Sequence, residues 1–341
     1  MSIHQAVDFI RKHKRFLISS HTNMEGDALG SQLGFYFLVK KLGKQAYMID
    51  EEGAPCGYEF MPAMDKIRSY KSNLKGLKFD CFVTLDCSDL KRTGEVYLLN
   101  AVNKPVLNID HHISNVNFGE VNWVDPKASS ASEMVFQLYK KMKVALDKDT
   151  ALALYVGIMT DTGSFRFNNT SNVTHTVTGE LLNYGIDVAG IYKNIYGNIP
   201  LSDLKLLTRI LPNMKTALND KIVWFEVSKQ LLKKQKGIFF DLSETLLTFA
   251  RTLKGLEVAI LFRENLTPGR EVRVNFRSQG KIDVNKIANF FGGGGHKNAS
   301  GCTIKALALD HVRRMVLNKI KAEFKSQAGE SNAVDNRFKK S

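Results

Sequence analysis

The segment Val106-Leu107-Asn108-Ile109-Asp110-His111-His112 decides the fold class of this chain. It joins a short, largely apolar run, which is typical of a buried strand, to one carboxylate and two imidazoles. In open α/β sheets, ligands bind just outside the carboxyl ends of the strands. The segment therefore predicts a strand of an α/β domain that presents ionisable side chains at a binding edge.

Three other segments place carboxylates or imidazoles where an apolar element meets a loop. Residues 15–18 precede a loop with one histidine and two acidic residues, residues 82–85 lead into an aspartate, and residues 154–160 lead into another. Together the four segments supply His21, Glu25, Asp27, Asp86, Asp110, His111, His112 and Asp161.

This set of side chains favours a metal site. Carboxylates gathered at one sheet edge repel each other unless a cation compensates them. Carboxylates combined with imidazole suit manganese, and less exclusively magnesium, iron or zinc. Each residue also has an ordinary interpretation: Asp27 as a helix N-cap, Asp161 as a turn cap, and His21 as a structural loop histidine. The occurrence of all four segments in one chain favours the metal site over these separate interpretations.

The apolar pattern of residues 1–187 predicts an α/β domain. Short apolar runs alternate with helical patterns, as in a doubly wound, mainly parallel sheet. Strands are predicted at 16–20, 46–49, 81–85 and 106–109. Helices are predicted at 27–41, from about residue 130, where Ser130 and Glu133 resemble a capping box, and at 148–159.

The remaining sequence predicts a linker, a second domain and a tail. Residues 188–218 form the predicted helical linker, residues 219–325 a smaller α/β domain, and residues 326–341 a disordered tail. Within the second domain, strands are predicted at 221–227, 256–262 and 271–277, and helices at 284–291 and 309–324. We expect a cleft between the two domains.

A run of glycines, Gly292-Gly293-Gly294-Gly295, precedes His296 in the second domain. Consecutive glycines let backbone N–H groups converge on an anion without obstruction by side chains. A flexible linker is the alternative interpretation. Apolar patterns flank the run on both sides and favour an anion-binding loop.

The residues around His21 resemble the first motif of the DHH phosphoesterase superfamily, His-x-x-Pro-Asp-Gly-Asp-Ala-x-Gly-Ser. Here the motif reads His21-Thr22-Asn23-Met24-Glu25-Gly26-Asp27-Ala28-Leu29-Gly30-Ser31. Two positions depart from it, because Met24 replaces proline and Glu25 replaces the first aspartate. Glutamate keeps a ligating carboxylate and adds one methylene, so we expect metal binding with altered geometry or affinity. The other three motifs match at Asp86, at the triplet Asp110-His111-His112 and at Asp161.

The resemblance implies a centre of two divalent ions, manganese first, which activate a water for attack on phosphorus. It also implies that His112 contacts the scissile phosphate and serves as an acid, and that Asp110 orients the neighbouring histidines. The implied ligands are His21 and Glu25 for one ion, Asp27, His111 and Asp161 for the other, and Asp86 as the bridge between them.

The resemblance extends to about residue 325 and includes the C-terminal DHHA1 domain of one subfamily. The glycine run resembles its Gly-Gly-Gly-Gly-His-x-x-Ala-Ser-Gly element, and Arg277-Ser278 match a family arginine site for the terminal phosphate of the substrate. The implied substrate-binding residues are Arg277, Ser278, Gly293, Gly294, Gly295 and His296.

The composition fits a globular protein that handles anions. Hydrophobic residues make up 44% of the chain, and the formal net charge is +14. This charge favours nucleic acid or phosphorylated ligands, with a lysine-rich solubilising surface as an equal alternative. Four cysteines without metal-knuckle spacing indicate reduced thiols. Because the sequence shows neither a signal peptide nor an apolar run of membrane-spanning length, we expect a cytoplasmic protein.

The resemblance implies a hydrolase that cuts phosphoester bonds in short RNA oligonucleotides (nanoRNA) and in 3′-phosphoadenosine 5′-phosphate (pAp). The alternative is a phosphodiesterase for cyclic di-AMP or its linear product pApA. Less favoured are a pyrophosphatase or polyphosphatase and a non-catalytic nucleotide-binding protein. The sequence leaves the oligomeric state open, a homodimer included.

Overall fold

A computed structural model describes residues 2–74, 76–233, 242–266 and 269–338. The chain divides into two units, Met1–Asn198 and Ile199–Ser341. Among the described helices, none has both the length and the apolar character that a bilayer span requires.

The first unit contains a parallel sheet with strand order β3-β2-β1-β4-β5-β6, in which every neighbouring pair is parallel. This order matches the doubly wound arrangement and confirms the predicted fold class. Strand β1 has β2 on one side and β4 on the other, so the switch point lies at β1 and β4. The strands are β1 Arg15–Ser19, β2 Gln45–Asp50, β3 Ile67–Ser69, β4 Cys81–Leu85, β5 Val106–Asp110 and β6 Val121–Val124.

Apolar residues cover both faces of this sheet, as expected for parallel strands. Along β1, Phe16 and Ile18 belong to the larger core, whereas Leu17 packs in a second core with Phe82 and Val96. The helices of the unit are α1 Ile3–Lys12, α2 Gly26–Lys41, α3 Ala131–Met142, α4 Lys148–Asp161, α5 Asn172–Leu182 and α6 Val188–Tyr192.

Helix α3 begins where the sequence predicts it, but with half of the predicted capping box. The Ser130 hydroxyl accepts a hydrogen bond from the backbone N–H of Glu133. The buried Glu133 carboxylate instead accepts hydrogen bonds from Ser129 and Thr174. Tertiary partners have therefore replaced the second bond of the box.

The second unit holds a mixed sheet with strand order β11-β12-β10-β9-β8-β7. Among the described pairs of neighbouring strands in this sheet, β8 and β9 are parallel and the others are antiparallel. This smaller α/β unit confirms the second part of the predicted fold class. Its strands are β7 Lys215–Ala217, β8 Ile222–Val227, β9 Val258–Glu264, β10 Glu271–Ser278, β11 Gly294–His296 and β12 Ala299–Lys305, and its helices are α7 Leu201–Ile210, α8 Lys229–Lys233, α9 Leu242–Ala250, α10 Val284–Phe290 and α11 Leu309–Phe338.

The predicted linker and tail lie mostly within secondary structure. Residues 188–218 include α6, α7 and β7, and the border between the two units falls between Asn198 and Ile199. The predicted tail over 326–341 continues α11 as far as Phe338, and residues 339–341 lie outside the described part of the chain.

Candidate metal centre

The predicted ligands of the first unit gather at the carboxyl edge of its sheet, at the switch point between β1 and β4. We call this group the metal centre; it comprises His21, Glu25, Asp27, Asp86, His111 and Asp161. His21 follows β1, Asp86 follows β4 directly, and Asp110 ends β5. Asp86 has a left-handed φ of 53°, which aspartate tolerates better than most residues.

Glycines on two helices bring the acidic side chains of α2 and α4 together. A Cβ atom at Gly26 would lie 2.4 Å from the Thr160 hydroxyl, and one at Gly30 would lie 2.4 Å from the Ala153 carbonyl oxygen. A Cβ at Gly157 would lie 2.8 Å from the Asp27 carboxylate. The missing side chains therefore permit the close approach of α2 and α4.

Asp27 caps a helix, but not its own. Glu25 is the N-cap residue of α2, and the Asp27 carboxylate accepts hydrogen bonds from the backbone N–H groups of Ala131 at 2.6 Å and Ser132 at 2.9 Å. These groups form the first turn of α3, whose dipole favours a negative charge. Burial nevertheless raises the pKa of Asp27 to about 6, and the charge of Asp86 adds to the rise.

The imidazole of His111 lies among three carboxylates from three different elements. Its Nε2 atom is 3.5 Å from Asp86 Oδ1, 3.6 Å from Asp161 Oδ2 and 3.8 Å from Asp27 Oδ2. Burial opposes protonation of His111, but the three carboxylates together raise its pKa well above the ordinary value. The site thus concentrates negative charge around one buried ring.

Asp86 is shared by the surrounding histidines. Its Oδ2 atom lies 3.4 Å from His21 Nε2, and its Oδ1 atom lies 3.4 Å from His112 Nδ1. Burial alone would raise the pKa of Asp86, but hydrogen bonding with His111 and His21 holds it well below the usual range. Asp86 therefore lies within 3.5 Å of three imidazole rings.

Asp110 and His112 form an orienting pair. The Nδ1 atom of His112 lies 2.7 Å from Asp110 Oδ1, and the Asn115 amide donates to Asp110 Oδ2 at 2.6 Å. Burial raises the pKa of Asp110, but the His112 contact outweighs it and brings that pKa below its usual range. Asp110 therefore fixes the ring of His112.

Asp161 and Glu25 complete the centre from its more exposed side. Burial raises the pKa of Asp161 well above its usual value, and the negative charges of Asp27, Asp86 and Glu25 add to the effect. The Asn169 amide donates to the Asp161 carboxylate at 3.3 Å. Glu25 is exposed, and its side chain makes no capping hydrogen bond to α2.

Two groups of potential ligand atoms share Asp86. One comprises Asp27, Asp86 and His111, and the other comprises Asp86, Asp110 and His112. In each group the atoms lie within 4.8 Å of one another. Buried oxygen and imidazole nitrogen donors of this kind can hold a divalent metal ion.

In the second unit, the predicted substrate-binding residues meet around β12. Arg277 of β10 and His296 of β11 both pair with Ala299. The Arg277 guanidinium donates to the Glu244 carboxylate at 2.7 Å. The Ser278 hydroxyl is buried and has no hydrogen-bond partner among the described residues. We call Arg277 and Glu244 the Arg277 cluster; Ser278, the next residue of β10, lies on the buried face of the strand.

The glycine run is not the open loop that the sequence predicts. Gly294–His296 form strand β11, paired with β12. A Cβ at Gly293 would lie 2.2 Å from the Gly301 carbonyl oxygen, and Gly295 has a φ of 140° with its Cβ position 2.6 Å from the Ala299 carbonyl oxygen. Close packing against β12 is therefore one reason for glycine here.

Family comparisons agree with both units. The model for the DHH family, N-terminal domain, matches residues 15–158, and the model for the DHHA1 domain matches residues 229–323. A Thermus thermophilus protein, named bifunctional oligoribonuclease and PAP phosphatase NrnA, is 32% identical over 307 residues, covering 90% of this chain and 89% of the relative. The chain belongs to the DHH family.

Two further similarities extend over most of the chain. A Bacillus subtilis protein with the same NrnA name is 27% identical over 300 residues, covering 86% of this chain and 91% of the relative. A crystal structure of an exopolyphosphatase-related protein from Bacteroides fragilis has a TM-score of 0.83 and 29% identity. That similarity covers 95% of this chain and 97% of the solved chain.

Four polar residues of this DHH unit escaped the sequence analysis. Asn115 and Asn169 hold Asp110 and Asp161, and no sequence signal distinguishes them from loop asparagines. Asp50 ends the apolar strand β2 just as Asp110 ends β5, so the same signal could have found it. Arg92 contacts His112, which only the tertiary structure shows.

Proposed function

We propose that this protein is a metal-dependent phosphoesterase that hydrolyses short RNA oligonucleotides and pAp. The NrnA relatives carry the names of these two activities and cover nearly the whole chain. The buried carboxylates and imidazoles of the metal centre supply a matching chemistry. The proposed class is a hydrolase acting on phosphoester bonds, with a cytoplasmic location.

The observation that carries the proposal is the position of His111 within 3.8 Å of carboxylates from α2, from the end of β4 and from α4. A structural role alone does not call for three acidic groups around one buried ring. The raised pKa values of Asp27 and Asp161 indicate that these carboxylates are poorly compensated by the protein. Divalent cations would compensate them.

The donor set fits two divalent ions, manganese first. Mixed carboxylate and imidazole ligands suit this metal, and Asp86 lies in both groups of potential ligands. When bound, such ions supply an activated water and positive charge beside the reacting phosphate. The proposed ligands are His21 and Glu25 for one ion, Asp27, His111 and Asp161 for the other, and Asp86 for both.

The Asp110–His112 pair would act on the substrate. Asp110 holds the Nδ1 side of the His112 ring, so that its Nε2 side would face the scissile phosphate or the leaving oxygen. Asn115 holds the other oxygen of Asp110, so the pair keeps its orientation during turnover.

The Arg277 cluster would bind a phosphate of the substrate. The guanidinium is held by Glu244 and by the carbonyl oxygen of Phe276, which reduces the entropy lost on binding. The buried Ser278 hydroxyl would donate to a phosphate oxygen, together with backbone groups of Gly293, Gly294 and Gly295 and the ring of His296.

A turnover panel tests the proposal. The enzyme would be given pAp, a 5′-phosphorylated RNA dinucleotide, a five-nucleotide RNA, cyclic di-AMP and pyrophosphate, each with manganese and again with a chelator. We expect hydrolysis of pAp and the RNAs with manganese, and loss of hydrolysis with the chelator. Turnover of pyrophosphate alone, or of none of the substrates, would contradict the proposal.

A further inference from the structure

Arg92 is a basic residue beside the metal centre to which the family motifs assign no role here. It lies in the segment Leu90–Asn100, a pair of 3-10 turns that follows β4 and bends at Gly94. Its backbone carbonyl oxygen accepts a hydrogen bond of 2.7 Å from the N–H of Thr22, the residue after His21. The backbone of Arg92 is thereby fixed against the loop that carries His21.

The guanidinium of Arg92 is half-buried and close to His112. Its Nη1 atom lies 3.3 Å from the Ser88 hydroxyl and 3.5 Å from His112 Nε2. Among the residues that the structure describes, no carboxylate lies within ion-pair distance of this guanidinium. Most of its five N–H donors therefore remain available to a ligand.

This placement distinguishes Arg92 from a structural arginine. Arginines taken out of water usually pair with an acidic group as they become buried, and the metal centre next to Arg92 is rich in carboxylates. The bond to Thr22 comes from the backbone of Arg92 and does not need its side chain. A guanidinium beside Nε2 also disfavours a metal ion on that nitrogen, because two cations would repel each other.

We propose that Arg92 is a further catalytic residue, which donates hydrogen bonds to a non-bridging oxygen of the scissile phosphate next to His112. The proposal rests on the proposed phosphoesterase function. A guanidinium offers a planar pair of donors that matches phosphate oxygens. In a site with few water molecules, such donors stabilise the charge that develops on the phosphate during the reaction.

The charge of Arg92 should also affect substrate choice. The reacting group of pAp is a phosphomonoester, which carries close to two negative charges, whereas an internal phosphodiester of RNA carries one. Coulombic attraction to a fixed cation scales with that charge. Loss of Arg92 should therefore harm pAp hydrolysis more than dinucleotide hydrolysis.

The test compares wild type, Arg92→Gln, Arg92→Lys and the control Lys91→Gln on pAp and on the 5′-phosphorylated dinucleotide with saturating manganese. Arg92→Gln should lower kcat/KM about 100-fold or more, with the larger loss on pAp. Arg92→Lys should recover part of the loss, since lysine keeps the positive charge but lacks the planar pair of N–H donors. Lys91→Gln, an exposed neighbour, should stay close to wild type.

Manganese binding and circular dichroism of each variant show whether the fold and the metal centre are intact. Arg92→Gln with kcat/KM within about threefold of wild type on both substrates would overturn the proposal. If Arg92→Gln does not fold, Arg92→Met, which also removes the charge, takes its place, and a loss below about threefold with normal manganese binding would overturn the proposal. Wild-type enzyme inactive on both substrates would instead refute the proposed function.

Discussion

The metal centre of the first unit and the Arg277 cluster of the second unit carry charge in opposite ways. The metal centre surrounds His111 with three carboxylates, and burial raises the pKa of Asp27 and Asp161. In the Arg277 cluster, one guanidinium is matched by the Glu244 carboxylate, whose pKa is lowered by the arginine despite its burial. The first region has an excess of acidic groups, and the second has a matched pair.

Under the proposed function, this difference suits the two regions to separate tasks. Excess buried carboxylates are costly unless cations join them, so the first region is suited to binding metal and to chemistry on phosphorus. A guanidinium already held in place by Glu244 and Phe276 is suited to recognising a phosphate without changing it. Variants in the two regions should therefore fail in different ways.

Asp86→Asn should give the largest loss. The substitution keeps the shape of the side chain but removes the charge shared by His21, His111 and the proposed ions, so kcat should fall on the order of 1,000-fold or more. Initial rates on pAp and pyrophosphate with manganese measure this. Asp149→Asn, an exposed charge removal at the start of α4, is the matched control. Near-normal activity of Asp86→Asn would remove its bridging role.

Arg277→Gln should raise KM while leaving kcat nearly unchanged. Loss of a charge-assisted contact to phosphate costs about 1.5–3 kcal/mol, so KM for pAp and the dinucleotide should rise roughly 10-fold to 100-fold. Pyrophosphate turnover should change little. Arg263→Gln on the neighbouring strand β9 serves as the control. Equal losses on all three substrates would contradict a substrate-anchoring role for Arg277.

Asp50→Asn compares the metal centre with another buried carboxylate at the carboxyl edge of the same sheet. Neutral groups donate hydrogen bonds to Asp50. Ser20 N–H, the Ser19 hydroxyl and the Gln32 amide donate to it, and burial raises its pKa to about 6. Since the folded pKa exceeds the unfolded value, the linked stability is present below about pH 4 and is lost as the pH rises through 6.

The asparagine variant should therefore gain on wild type by about 2 kcal/mol in unfolding free energy between pH 4 and pH 7. A flip of the Gln32 amide would let its Oε1 atom, which lacks a partner among the described residues, accept from the amide introduced at position 50. Urea unfolding at several pH values measures the difference. If the unfolding free energies of the two proteins change with pH in parallel, the pKa of Asp50 is not raised in the folded protein, which would contradict this prediction.

Glu25→Asp should have the smallest effect. Glu25 is exposed, and aspartate serves equally well at the N-cap of α2. The substitution restores the carboxylate of the family motif, so manganese-dependent activity should stay within a fewfold of wild type or rise. Glu25→Gln is the comparison that removes the charge. An inactive Glu25→Asp variant would show a centre built around the longer side chain.

Much of the fold could be predicted because apolar periodicity records burial. The predicted strand at 81–85 coincides with β4, the prediction for β5 differs by one residue at one end, and those for β1 and β2 differ by one residue at each end. In the first unit, strands β3 and β6 escaped prediction. Residues 67–69 are too short for a periodic signal, and residues 121–124 include a buried asparagine whose hydrogen bonds only the folded chain provides.

The centre was predictable in its membership but not in its contacts. Motifs identified the carboxylates and histidines around Asp86, since each follows an apolar element. The capping of α3 by Asp27, the pairing of Arg277 with Glu244 and the approach of Arg92 to His112 join residues distant in sequence. Such contacts depend on helix packing, which local patterns do not record.

Calorimetric titration of the wild-type protein with manganese at pH 6, in two buffers of different ionisation enthalpy, tests the central claim most directly. We predict two ions per chain and a release of protons, because Asp27, Asp161 and His111 have raised pKa values and lose protons to the ions. Affinity should rise with pH for the same reason, and Asp86→Asn should bind far more weakly. The absence of binding at millimolar manganese, or binding unaffected by Asp86→Asn, would contradict the account.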